Sequence, residues 1–196
     1  MQSKLPNPID YQDHAVDVLA QASAYVRAGK HFALVTSVDI EGGSARDVGS
    51  LAVVSDSGEM TGYMSNGCID QDILVHAMDC LETGAARLLK YGEGSPFHDL
   101  TLPCGGSVSI WIDPSPDKDT LMEAYATLLA RKPTVLTFRP EMAGTGSTQS
   151  AIAIAYQPKV ALTLAGRGAI FRATTKIAHS IGFDVSGFSP DTDDLE

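Results

Sequence analysis

Apolar residues recur along this chain with two different periods, and the switches between them mark out its elements. Over residues 9–28, Val16, Leu19 and Ala20, then Ser23 and Val26, fall near helical spacing, with Gly29 where a C-cap glycine belongs. From Ile69 onward, Ile73, Leu74, Ala77, Met78 and Leu81 recur at steps of three and four until Gly84, which predicts an amphipathic helix with Cys68 at its start. A third helix is expected from Asp119, acting as cap, to about Ala130. Shorter runs at 31–38, 51–55, 60–64, 86–91, 108–112, 134–138 and 151–156 read as strands, and Asp56-Ser57-Gly58-Glu59 reads as a hairpin-like turn. Residues 92–103 and 143–150 are polar, Gly- and Ser-bearing loops.

The pattern changes after Gln157-Pro158. Lys159 to Ala165 is an almost continuous apolar strand, Gly166-Arg167-Gly168 a tight turn, Ala169 to Ser180 a helix and Phe183 to Phe188 a second strand. That is one βαβ unit out of the roughly five or six strands of a doubly wound nucleotide fold, and an acidic tail follows it. The expected fold class is α/β: an α+β N-terminal domain over residues 1–157, then a partial Rossmann-like βαβ segment over 158–196.

With 196 residues, 44% of them hydrophobic, the chain can bury a substantial core. No apolar run approaches the roughly 20 residues of a membrane span, and the first residues lack a basic-then-apolar leader pattern, so a cytoplasmic location is expected. Twenty-four acidic against 14 basic residues give a formal charge of −10, which opposes binding to phosphate backbones and anionic membranes. Neither nucleic acid nor membrane is expected as a partner. Cys68, Cys80 and Cys104 are odd in number and widely spaced, which suggests neither a disulfide framework nor a zinc site and leaves free thiols in a reducing compartment.

Three constellations carry chemistry, each with a plainer alternative. In Ser65-Asn66-Gly67-Cys68-Ile69-Asp70 the thiol stands at a strand-to-helix junction, where helix N–H groups stabilise a thiolate or a bound anion; alternatively Cys68 is a small buried cap. In Leu102-Pro103-Cys104-Gly105-Gly106 the glycines either let the backbone close on a ligand as an anion nest or serve turn geometry. In Gly42-Gly43-Ser44-Ala45-Arg46-Asp47-Val48-Gly49 the Arg46 fork suits phosphate or carboxylate, or is a solvated surface arginine.

The order of these motifs resembles that of the xanthine dehydrogenase accessory proteins of the XdhC/CoxI family. The likeness runs over about residues 15–113, and the βαβ start after Pro158 is similar to the opening of that family's C-terminal domain. Ala45 replaces the family's proline before the loop arginine, and Asn66 replaces a glycine of its Ser-Gly-Gly-Cys motif. Asparagine tolerates the left-handed backbone that glycine favours there. Phe171 stands where the nucleotide fingerprint wants a small residue, and Ser189 where its second strand ends in an acid.

The resemblance implies a chaperone that binds molybdenum cofactor (molybdopterin), favours its sulfurated form and delivers it to a molybdenum hydroxylase apoenzyme of the xanthine dehydrogenase type, with a cysteine desulfurase as a further partner. It points to Arg46, Ser65, Asn66, Gly67, Cys68, Cys104, Gly105, Gly106, Gly166 and Gly168 as cofactor-binding. Cys68 and Cys104 are expected near the molybdenum or dithiolene, and Arg46 with the N–H groups around Gly67, Gly105 and Gly106 at the phosphate or pterin edge. Asp70 is either a proton acceptor or a helix cap, and His98 either bonds a pterin or is solvated. Cys80 reads as core. Three competing readings remain: an NAD(P)-dependent oxidoreductase, from Gly-x-Gly after a strand; a redox or metal protein using the cysteines and histidines; and an oligomeric scaffold. The last follows because an unfinished βαβ unit exposes strand edges that a homo-oligomer would cover.

Overall fold

The alternation of Phe32 and Leu34 with Ala33 and Val35 sets the architecture, because it gives one strand two apolar faces. The computed structural model describes residues 9–93, 95, 102, 105–140, 150–191 and 193. Its elements are β1 (Ile9–Asp10), α1 (Ala15–Arg27), β2 (Phe32–Glu41), β3 (Leu51–Ser55), β4 (Met60–Gly62), α2 (Asp70–Thr83), β5 (Arg87–Gly92), β6 (Ser107–Asp113), α3 (Lys118–Leu129), β7 (Thr134–Phe138), β8 (Ile152–Tyr156), β9 (Ala161–Ala165), α4 (Gly168–Ser180) and β10 (Asp184–Phe188). The chain is α/β. Among the described residues no helix is long and apolar enough to cross a membrane.

Six strands form one sheet in the order β1-β4-β3-β2-β6-β5, antiparallel except for the short β1–β4 pair. On one face Ala33, Val35, Ala52 and Val54 meet Ile73, Ala77 and Cys80 of α2. On the other, Phe32, Leu34, Leu51 and Val53 meet Leu19 and Ala22 of α1, Leu121 and Leu128 of α3, and Leu136 and Tyr156 of the β7–β8 hairpin. Burying a side chain such as Ile73 contributes about 1.5–3 kcal/mol, so α2 is held by its inner face. It stops at Gly84, whose left-handed backbone turns its N–H onto the Cys80 carbonyl.

Three sequence expectations change. The first helix starts at Ala15 rather than Ile9, because Ile9 and Asp10 pair with Met60 and Thr61 and satisfy their backbone in the sheet. Asp117, not Asp119, caps α3: its side chain accepts the Thr120 N–H at 2.7 Å. β2 runs on to Glu41, bending at a register shift between Ser37 and Asp39.

β9, α4 and β10 make a βαβ unit with two parallel strands in register from Ala161↔Asp184 to Ala165↔Phe188. Phe171, expected to crowd the helix against the strand, is buried there with its ring beside Gly166, where even a Cβ would meet it only at an ordinary contact distance of 3.4 Å. Arg131 ties the unit to the rest, donating to the Asp184 carboxylate at 2.9 Å and the Lys159 carbonyl at 2.8 Å. Ile170, Ile177 and Phe188 remain exposed.

Candidate functional site

β4 ends at Gly62, and the five residues from Met64 to Cys68 enter α2 by wrapping around one carboxylate. Asp70, fully buried in the first turn of α2, accepts from Met64 N–H at 2.7 Å and Ser65 N–H at 3.1 Å through Oδ1. Its Oδ2 accepts from Ser65 Oγ at 3.0 Å and Gly67 N–H at 2.6 Å. Ser65 Oγ in turn accepts the Ile69 N–H at 2.9 Å. Such a buried charge is tolerated because its lone pairs are met and the helix N-terminus favours it. With four donors on it, Asp70 is a positioning group for the loop.

Asn66 adopts φ 58° and Gly67 φ 110°, so the left-handed turn anticipated from asparagine is formed. The turn lifts Cys68 into solvent, which answers the cap alternative: its thiol is exposed, whereas Cys80 is buried and burial pushes its thiol pKa up. Cys68 stands at a mainly apolar cavity of about 140 Å3, bordered by Ser44, Ala45, Met64, Ser65, Leu102 and Val108. That volume is small beside the ~300–1,000 Å3 of ordinary ligand pockets, so it has room for a small chemical group and not for a whole ligand of ordinary size. Cys104 and His98 lie outside the described residues.

The anion-receiving roles expected for several groups are taken up internally. Gly67 N–H is spent on Asp70, and Gly105 N–H donates to the Leu102 carbonyl at 2.9 Å. Gly106 is needed for a close approach of backbones: a Cβ there would overlap the Gly43 carbonyl and lie 2.7 Å from the Glu41 oxygen. Thus the two glycine loops pack on each other at the end of β2 and β6.

Arg46 is not among the residues lining the Cys68 cavity; Ser44 and Ala45 of the same loop take that place. Its guanidinium ion-pairs with the Asp13 carboxylate, donates to the Asp13 carbonyl at 3.1 Å and lies 4.2 Å over the Tyr63 ring. It is no solvated surface arginine, since its side chain is only 10% exposed. Gly166 and Gly168 lie on the separate βαβ unit, where a groove runs past Gly166, Arg167, Gly187 and Phe188 at the carboxyl ends of β9 and β10.

Sequence reasoning passed over Asp13 and Tyr63, which hold Arg46, and over Tyr91, whose hydroxyl donates to Asp72 at 2.6 Å from the buried face of β5. The Arg46 partners stand 33 and 17 positions away, beyond any local signal, whereas Tyr91 lies on the inward alternation of its strand.

The fold and site together define an α/β protein that presents a thiol on a helix-entry loop at a small apolar cavity. Residues 25–92, from the end of α1 through β5, match the model of the XdhC and CoxI family. The molybdenum cofactor insertion chaperone PaoD of Escherichia coli (strain K12) is 32% identical over 181 residues, covering 88% of this chain and 57% of PaoD. The chain thus spans a little over half of that curated relative. A crystallised chain from Bacillus halodurans, described as a xanthine dehydrogenase, shares the fold with a TM-score of 0.73 over 93% of this chain and 64% of its own length, at 17% identity. The likeness to the XdhC and CoxI family is thus carried by residues 25–92 and by the relationship to PaoD.

Proposed function

We propose that this chain carries molybdenum cofactor, assists its sulfuration and hands it to an apo molybdenum hydroxylase of the xanthine dehydrogenase type. The observation that carries the reading is the exposed Cys68 thiol, set by the Asp70-clamped loop at the edge of an apolar cavity. The role named for PaoD, insertion of molybdenum cofactor, supports it. When bound, the cargo supplies a soft metal–sulfur centre, for which a cysteine sulfur is a suitable neighbour. Cys68 offers that sulfur, Ser65 to Gly67 hold it in place through Asp70, and Met64, Leu102 and Val108 keep water from one side.

Cys104 is assigned to the same cargo, a cysteine desulfurase to the supply of sulfur and the cytoplasm to the exchange. Residues 1–157 form the cofactor-handling domain in this reading, and 158–196 a Rossmann-like segment. A homo-oligomer is the natural cover for the exposed Ile170, Ile177 and Phe188 of that segment.

Alkylation mapped by mass spectrometry tests the site. Cys68 in cofactor-loaded protein should be modified several-fold more slowly than in cofactor-free protein; equal rates would remove Cys68 from the binding surface.

A further inference from the structure

Among the described residues, neither apolar core of the six-stranded sheet contains a residue beyond Tyr156. The βαβ unit has a small core of its own: α4 packs on β9 and β10, with Phe171 and Ala178 buried. Val160, at the joint between the two bodies, is left 58% exposed. Apolar burial therefore does not hold the unit in place.

Polar contacts do, and they gather where its two strands begin. Lys159 Nζ pairs with Asp17 of α1 at 2.7 Å, and Arg131 donates to the Lys159 carbonyl at 2.8 Å and to the Asp184 carboxylate at 2.9 Å. At Gly182 the chain comes close to His14, so that a Cβ there would lie 2.7 Å from Nε2. Arg131 reaches across from a backbone at φ 61°, in the position after the α3 C-cap where glycine is usual. Its N–H and that of Lys132 close the helix on the Leu128 and Thr127 carbonyls. An arginine is strained there relative to glycine. What it supplies is the guanidinium fork that spans the joint.

Exposed ion pairs each contribute little and are screened by salt, and the Arg131 and Asp184 side chains are 45% and 62% exposed. We propose that the βαβ unit is a latched arm, which swings about residues 157–159 when the pairs of Lys159 with Asp17 and of Arg131 with Asp184 open. The arm carries the groove past Gly166, Arg167 and Phe188, whereas Cys68 belongs to the sheet body, so the latch sets how those two surfaces face one another. The inference does not depend on the cargo assigned above.

Trypsin cleavage after Lys159 tests it, because the latch holds both that side chain and its carbonyl. The rate is measured on the full chain and divided by that of a free peptide of residues 154–164 in the same buffer. Raising NaCl from about 0.02 M to about 0.5 M should increase this ratio about three- to tenfold. At low salt, Asp17→Asn and Arg131→Gly should each raise it several-fold, although glycine relieves the backbone at 131. Asp79→Asn, which breaks an ion pair within the sheet body, should leave it unchanged. Cleavage after Lys90 in β5 reports opening of the sheet body and should stay constant. A ratio insensitive to salt, an Arg131→Gly variant as well protected as wild type, or cleavage after Lys90 that rises in step with that after Lys159 would each overturn the proposal.

Discussion

The Gly67 amide donates to Asp70 Oδ2 at 2.6 Å, and this bond joins the left-handed turn that exposes Cys68 to the first turn of α2. Asp70→Ala removes the acceptor of four donors, at Met64, Ser65 twice and Gly67. Leaving such donors buried and unmet should cost about 3–5 kcal/mol. Urea denaturation reads this directly, and the same variant should lose the distinctive alkylation rate of Cys68.

Asn66 tests the turn by a different route. At φ 58° a glycine is conformationally free, whereas a β-branched residue is strained. Asn66→Gly should leave the melting temperature within about a degree or two, and Asn66→Val should lower stability by about 1–2 kcal/mol. Equal effects would mean that the turn is not left-handed in solution.

Gly105 and Gly106 should rank in an order that their adjacency hides. Gly105 has φ 70° but open space around its missing Cβ, so Gly105→Ala costs about 1 kcal/mol of backbone strain. Gly106→Ala drives a methyl into the Gly43 carbonyl and forces two loops apart, at about 1–3 kcal/mol. Thermal unfolding of the two variants measures the order.

Most elements were legible because α2 and the strands are amphipathic or apolar over their whole length: Ile73, Ala77 and Cys80 line the buried face that their spacing predicts. The start of α1 was not, since Ile9 pairs with Met60 across 51 positions and periodicity carries no information about partners. At the site, the sequence anticipated the left-handed backbone at Asn66 and the position of Cys68 between a strand and a helix. The roles of Arg46 and Gly106 escaped because each depends on a remote contact, with Asp13 and with Gly43. An arginine fork and a glycine pair look alike in sequence whether they serve a ligand or their own fold.

Asp113 gives a pH test. Burial raises its carboxyl pKa, and the Ser115 N–H bond only partly offsets this. An acid raised in the folded state favours folding while protonated, and that contribution is lost as pH climbs from its unfolded value near 4 through the folded one. Asp113→Asn keeps an oxygen for Ser115 but cannot ionise. The variant should gain on wild type in melting temperature as pH rises from about 4 to neutrality, and the two should converge in acid; a constant gap would show that Asp113 does not titrate as described.

The central claim is that Cys68 holds cofactor, and the most direct measurement is the pterin that co-purifies with the chain from cofactor-producing cells, read by fluorescence after oxidation. Wild type and the core variant Cys80→Ala should both retain near-stoichiometric pterin if folded, while Cys68→Ala and Cys104→Ala should lose most of it. Folded wild-type protein that carries no pterin, or a Cys68→Ala variant that carries as much as wild type, would contradict the account.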